Sequence, residues 1–289
     1  MLNFPTNSVS NRITRIFAFG TELMYLIEGD NKNVLVDTGS GFGSLKKAVD
    51  DILTAHDNHN DLIVLVSHGH VDHAFGAAEF IDAGTPVYMS YKDKYIFSQH
   101  AELAFRKDGL SMEDFGGHGE YVEEEDFIPS PSFEDFKDIK DGDVFDLGGV
   151  KIEAFECKGH TVGSMVFLIH EDKKTYLFTG DACNLFTFVY DKYSTSIEEY
   201  EESLKALKTK IDGKYDEVLI SHGNGVGYLG MVEDVIEVCE KIKNGTSNNI
   251  PFEFRGSHGM IAMTPNQDDM KGNIVFHPDR VWKKNTVIS

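Results

Sequence analysis

Several absences narrow the possibilities before any motif is read. Cysteine is scarce: Cys157, Cys183 and Cys239 are the three in 289 residues, with no C-x-x-C spacing. That excludes a disulfide framework and a thiolate zinc knuckle. No apolar run approaches the roughly 18 residues a membrane span requires. The opening stretch, MLNFPTNSVSNRITRIF, has no apolar segment behind a basic cluster, as a secretory signal would. The expected address is therefore the cytoplasm, with no membrane partner. Positive charge is in deficit, with 27 Lys plus Arg against 48 Asp plus Glu and a formal net charge of -21. Such a chain repels phosphate backbones, so no nucleic acid partner is expected.

What is present suits an enzyme-sized globular chain. A hydrophobic content of 41% can fill a core, and the reading is one domain over 1–289. The runs RIFAFG, MYLIEGD and NVLVDTG predict opening strands separated by turn residues. Apolar spacing at Leu45, Val49, Ile52 and Leu53 predicts a helix over 43–56, and DLIVLVS a buried strand after it. The stretch HAFGAAEFIDAG predicts a helix through Ile81 that ends at Gly84, and TPVYMS a further strand. Residues 91–138, with acids at Glu123, Glu124, Glu125 and Asp126, glycines at Gly116, Gly117 and Gly119, and prolines at Pro129 and Pro131, read as a cap insertion.

Strand signals resume with DVFDLGG, VKIEAFEC, SMVFLIHED and KTYLFTGD, with a hairpin turn at Lys173-Lys174. Helices are predicted over 196–210, behind a Ser cap, and over 228–243, with strand YDEVLIS between them. Residues 246–289 read as a strand-rich extension with two or three short strands. Strands followed by helices in both halves describe a two-layer β core flanked by helices.

The chemistry concentrates in SHGHVDH, residues 67–73, directly after LIVLV. His68, His70, Asp72 and His73 supply imidazole and carboxylate donors, the types that hold divalent metal. Residues two apart on an extended strand end project to the same side. A helix beginning after Val71 turns Asp72 and His73 elsewhere, which suits two ions better than one. Three more candidates each follow an apolar strand: His160 in GHTVGS, Asp181 in TGDA and His222 in SHG. Loops after strand ends gather at one edge of a β core, where such ligands can converge.

In order and spacing, the series VDTG, SHGHVDH, GHTVGS, TGDA and SHG resembles the metallo-β-lactamase fold superfamily of metallohydrolases, over about residues 13–243. The resemblance implies an α/β fold, a four-layer αββα sandwich with a dinuclear metal site at one edge of the β layers. It implies that His68, His70 and His160 hold one ion, that Asp72, His73 and His222 hold the other, and that Asp181 bridges them. Asp37 of VDTG matches an acid that orients the ligand loops by hydrogen bonding. The implied cofactors are two divalent ions, zinc first, with iron or manganese also fitting.

The implied activity is hydrolysis of a small ester, thioester, lactone or phosphoester by a metal-bridging hydroxide, with Asp72 assisting proton transfer. Asn184 stands where lactonases of this fold commonly carry a tyrosine, and the tail after Lys243 is short and reads as strands, where the glyoxalase II type holds glutathione with basic residues of a helical domain. The rival reading is a mononuclear iron oxidoreductase of the persulfide dioxygenase type. The partner is a small-molecule substrate, and a homo-oligomer is compatible with the sequence.

Other residues carry weaker signals. The third SHG places His258 after a short run, so it reads as a surface or substrate-side histidine. His118 would reach substrate only if the insertion caps the site. His56, His59, His100, His170 and His277 read as structural or exposed, and Cys183 as a small buried side chain. Phe186, Phe188, Tyr190 and Tyr193 wall a pocket or pack a core. Glu198, Glu199, Glu201 and Glu202 read as the solvated face of a helix.

Overall fold

Val34, Leu35 and Val36 are fully buried, as a strand flanked on both sides requires. They lie in β4 (Lys32–Val36) of a six-stranded sheet that the computed structural model builds in chain order: β1 (Thr6–Ser8), β2 (Ile13–Ala18), β3 (Glu22–Glu28), β4, β5 (Asp61–Leu65) and β6 (Val87–Tyr88). The structure describes residues 3–18, 21–111, 126–254, 256–266 and 271–284. β1 to β4 pair antiparallel, whereas β4, β5 and β6 are parallel. A parallel pair needs a crossover. Helix α1 (Leu45–Ala55) supplies it, capped by Ser44 and burying Leu45, Val49 and Leu53.

The chain divides into two compact units. The first comprises Met1–Ala154, Ile169–Lys174 and Ser221–Gly225. Its core joins Ile16, Leu26, Leu35 and Val64 of the sheet to Val49, Phe75 and Phe80. The helix expected through Ile81 is two helices, α2 (Val71–Ala74) and α3 (Ala77–Asp82). The break has a cause: the backbone N–H groups of Phe75 and Gly76 both donate to Gly39 O instead of continuing the helical ladder. A Cβ on Gly76 would lie 2.1 Å from Thr38 O, so only glycine fits this approach.

The segment expected as an insertion contributes α4 (Lys94–His100) and α5 (Leu103–Ser111), and its Phe97, Phe133 and Phe136 belong to the same core. Part of it is therefore core rather than cover. His118 and the acids at 123–125 lie outside the described residues. Arg106 of α5 is buried and donates to the carbonyls of Ser40, Gly41 and Ile128. Burial pushes its guanidinium down to about 10.

A five-stranded sheet has the order β12-β10-β9-β8-β7, formed by β7 (Val144–Asp146), β8 (Val150–Glu156), β9 (Met165–Glu171), β10 (Lys174–Phe178) and β12 (Glu217–Leu219). The β9–β10 turn falls at Asp172-Lys173, one residue earlier than expected, with Asp172 in the left-handed region at φ 44°. Aspartate tolerates that conformation better than a long side chain does.

The second unit comprises Phe155–Leu168, Thr175–Ile220 and Val226–Ser289. It holds a four-stranded sheet, β11 (Phe186–Val189), β15 (Asn273–Phe276), β14 (Ser257–Ile261) and β13 (Ile250–Phe254), in that order. Helices α6 (Ile197–Ile211) and α7 (Met231–Lys243) complete it, α6 opened by a capping box between Ser196 and Glu199. Their apolar faces share a core with Val189, Ile274, Phe276 and the three cysteines. Burial pushes the Cys157 thiol up to about 12, which makes it a packing residue rather than a nucleophile. The mixed α/β class read from the sequence is the class found. Among the described residues no helix is long and apolar enough to cross a membrane.

Candidate metal centre

Asp37 follows β4 and Ser67 follows β5, so the parallel register that pairs Val36 with Leu65 brings the two residues side by side. Asp37 is buried and sits at φ 62°. Its Oδ1 accepts from Ser67 N at 2.7 Å, and its Oδ2 from Ser67 Oγ and His73 Nδ1, both at 2.9 Å. One carboxylate thus ties the start of SHGHVDH to its end. Thr38 adds to this, its N–H and hydroxyl both donating to His73 O.

Within the motif, His68 Nε2 and His70 Nδ1 face each other at 2.9 Å. His68 Nδ1 lies 3.0 Å from Ser67 Oγ. Between them Gly69 donates its N–H to the fully buried Asp93 at 2.8 Å. A Cβ on Gly69 would lie 3.0 Å from Asp93 Cβ, tight against the neighbouring chain.

His222 reaches the same place by a returning segment. Leu23 N donates to Ser221 O, while Arg15 and Tyr25 donate to Gly225 O, which pins residues 221–225 beside β2 and β3. Gly225 has φ 74°, and a Cβ there would meet Arg15 Nε at 2.5 Å. Thr21 O accepts from His222 Nδ1 at 2.8 Å. Asp72 Oδ2 then stands 3.5 Å from His73 Nε2 and 3.4 Å from His222 Nε2. One ligand atom each of Asp72, His73 and His222 lies within 4.8 Å of the others.

The second unit carries the other two candidates, and it brings them together. His160 Nδ1 donates to Phe188 O at 2.7 Å, and its Nε2 lies 3.7 Å from Asp181 Oδ2. Asn184 Nδ2 donates to Asp181 Oδ1 at 3.4 Å. Tyr200 of α6 supports both loops. Its hydroxyl donates to Ala182 O at 2.7 Å, and a Cβ on Gly159 would fall 2.0 Å from Tyr200 Cδ2. Gly159→Ala should therefore overpack the loop and lower stability by about 1–3 kcal/mol. A fall in Tm checks this, and an unchanged Tm would refute the close fit.

The donor set suits divalent metal on its own chemistry. Nδ1 of His160 and of His222 donates to a backbone carbonyl, so each of these rings carries its proton on Nδ1 and presents a lone pair at Nε2. Against an ionised Asp37, His73 takes the same tautomer. Each Nε2 then faces a carboxylate oxygen at 3.4 to 3.7 Å, acceptor against acceptor. A shared cation turns that repulsion into attraction.

Three neighbours of this set had no signal in the sequence. His100 of α4, expected to be structural or exposed, is buried and stacks on His70 with ring centroids 5.2 Å apart. Glu22 is buried beneath the motif, accepting from Ser40 N at 3.0 Å and from Ser40 Oγ. Burial, helped by the charge of Asp72, pushes its carboxyl up to about 7. Asp93 is the third. Of the weaker candidates, His258 is exposed on β14, and Cys183 is fully buried.

Comparison with known proteins agrees with this geometry. The family profile described as "Metallo-beta-lactamase superfamily" matches residues 18–222. The chain is 28% identical over 203 residues to the hydroxyacylglutathione hydrolase GloC of Haemophilus influenzae, covering 69% of this chain and 84% of that one. It is 25% identical over 229 residues to the acyl-coenzyme A thioesterase MBLAC2 of Homo sapiens, covering 71% and 74%. Among solved structures it resembles a metallo-beta-lactamase from Pontibacter korlensis, with a TM-score of 0.57 at 16% identity over 81% of this chain and 98% of that one. That last likeness speaks for the fold. With the motif series, the donor geometry and the profile match in agreement, the chain belongs to the metallo-beta-lactamase superfamily and is a hydrolase of that fold.

Proposed function

We propose that the protein hydrolyses small esters or thioesters at a dinuclear metal site, with zinc as the ion that this donor set suits. In this reading His68, His70 and His160 hold one ion, Asp72, His73 and His222 the other, and Asp181 stands between both. The observation that carries it is Asp72 Oδ2 facing the Nε2 atoms of His73 and His222, a complete second set of donors. That set favours two ions over the single iron of the persulfide dioxygenase alternative. Thioesters come first because two relatives are named for releasing an acyl group from a thiol carrier.

When bound, the ions supply a nucleophilic water near neutral pH and polarise the oxygen under attack. The chain does the rest. Asp37 holds His73 in the tautomer that presents Nε2, and Phe188 O and Thr21 O do the same for His160 and His222. The carboxylate of Asp72 would accept the proton released at the reacting centre and return it to the leaving group.

Metal analysis combined with an ester, thioester and phosphodiester panel and an oxygen-uptake assay tests the proposal. About two divalent ions per chain with thioester or ester hydrolysis is the expected result. One iron with oxygen consumption and no hydrolysis would overturn it.

A further inference from the structure

The four-stranded sheet of the second unit has two unlike faces. One carries Val189, Ile274 and Phe276 into the core. On the other, the register sets Phe188 beside Val275, Val275 beside Ile261, Phe252 beside Gly259 and Phe254 beside Ser257. The rings of Phe188, Tyr190, Phe252 and Phe254 converge there. Phe188 lies 5.6 Å from Phe252, 5.9 Å from Phe254 and 5.7 Å from Tyr190, while Phe252 and Phe254 stack at 6.3 Å. Gly259 leaves room for them: a Cβ there would come 3.1 Å from Tyr190 Cδ2. The three phenylalanines are only half-buried.

A cluster of aromatic rings left partly open marks a place where apolar matter binds. Its position says what that matter is. Phe188 O is the acceptor that orients His160, so the residue that starts the aromatic face also fixes a proposed metal ligand. An apolar group on this face therefore sits beside the reacting centre. In a thioester the carrier side is polar, and the apolar portion is the acyl group.

We infer that Phe188, Tyr190, Phe252 and Phe254 form the acyl-binding wall, and that the preferred substrates carry an uncharged apolar acyl group of aryl or medium-chain size rather than a small polar one. This rests on the hydrolase reading above.

The test uses metal-loaded protein and thioesters of one thiol, N-acetylcysteamine, bearing benzoyl, hexanoyl or acetyl groups. The wild type should prefer benzoyl and hexanoyl over acetyl by about 10-fold or more in kcat/KM, the scale of one or two buried methylenes. Phe252→Ala should reduce that ratio by about 10-fold, mainly through KM. Glu253→Gln, on the opposite exposed face of β13, should leave the ratio unchanged. Benzoate binding by titration calorimetry gives a readout independent of turnover and should weaken in Phe252→Ala. Hydrolysis with no acyl preference, and with benzoate binding unaltered in the variant, overturns the inference. No hydrolysis of any thioester, with benzoate binding still weakened in Phe252→Ala, upholds the apolar wall and sinks the hydrolase reading instead.

Discussion

Asp181→Ala is expected to lower kcat/KM by about 10³-fold or more, because in the proposed site it removes the carboxylate shared by both ions and forfeits several kcal/mol of charge stabilisation. The fold should survive. Asp181 closes a loop rather than a core, and the partners described for it are Asn184 at 3.4 Å and His160 at 3.7 Å. His70→Ala should behave alike, since its Nδ1 faces His68 Nε2 at 2.9 Å and contributes nothing to the apolar core. Metal content, far-ultraviolet circular dichroism and kinetics decide the matter together. Near-normal turnover with a full metal complement would show that these residues do not carry the reaction.

Asp37→Asn tests the tautomer argument, and its effect should be nearly as large. Asparagine tolerates the left-handed backbone at φ 62°, so strain does not confuse the result. It cannot, however, accept from Ser67 N, Ser67 Oγ and His73 Nδ1 at once, because one of its two terminal groups is a donor. If the amide turns toward His73, the imidazole must accept at Nδ1 and carry its proton on Nε2, where a metal ligand needs a lone pair. Affinity for the ion proposed at Asp72, His73 and His222 should fall by about 10- to 100-fold. Asp37→Ala removes the carboxylate outright and strands buried donors, so it should cost about 3–5 kcal/mol in stability as well. Competitive chelator titration reads the first effect and denaturant unfolding the second. If Asp37→Asn bound metal as the wild type does, the ring would not be set by Asp37.

The candidate site residues could be picked out of the sequence because the segments that carry them follow strands: Asp37 after β4, His68 after β5, His160 after β8, Asp181 after β10, His222 after β12. Short-range pattern is enough to find a polar residue at the end of an apolar run. What surrounds them was not legible, because it depends on contacts between distant segments. Tyr200 read as one apolar position of an amphipathic helix, yet it meets Gly159 and Ala182 from about twenty to forty residues away. His100 lay in a segment whose texture suggested cover, while Phe97 three residues earlier is core. The break between α2 and α3 is set by Gly39 O, which no helical periodicity contains. Strand β11 escaped notice because FTFV is only four residues long, and its buried positions, Thr187 and Val189, alternate with half-open phenylalanines.

The returning segment at His222 bears on the order in which the molecule is made. Ser221–Gly225 belongs to the first unit, yet about seventy residues separate it from Ala154, where that unit's long N-terminal stretch ends. While the ribosome is still adding residues 155–220, Leu23 N has no Ser221 O to donate to, and Arg15 and Tyr25 have no Gly225 O. Asp72 and His73 wait with them for their third partner. A nascent chain can therefore fold much of its first sheet early, but it cannot bring Asp72, His73 and His222 together until residue 222 has been added. Loading of the ion proposed there would then be a late event of biosynthesis, and chains cut short before His222 would lack one of its proposed donors.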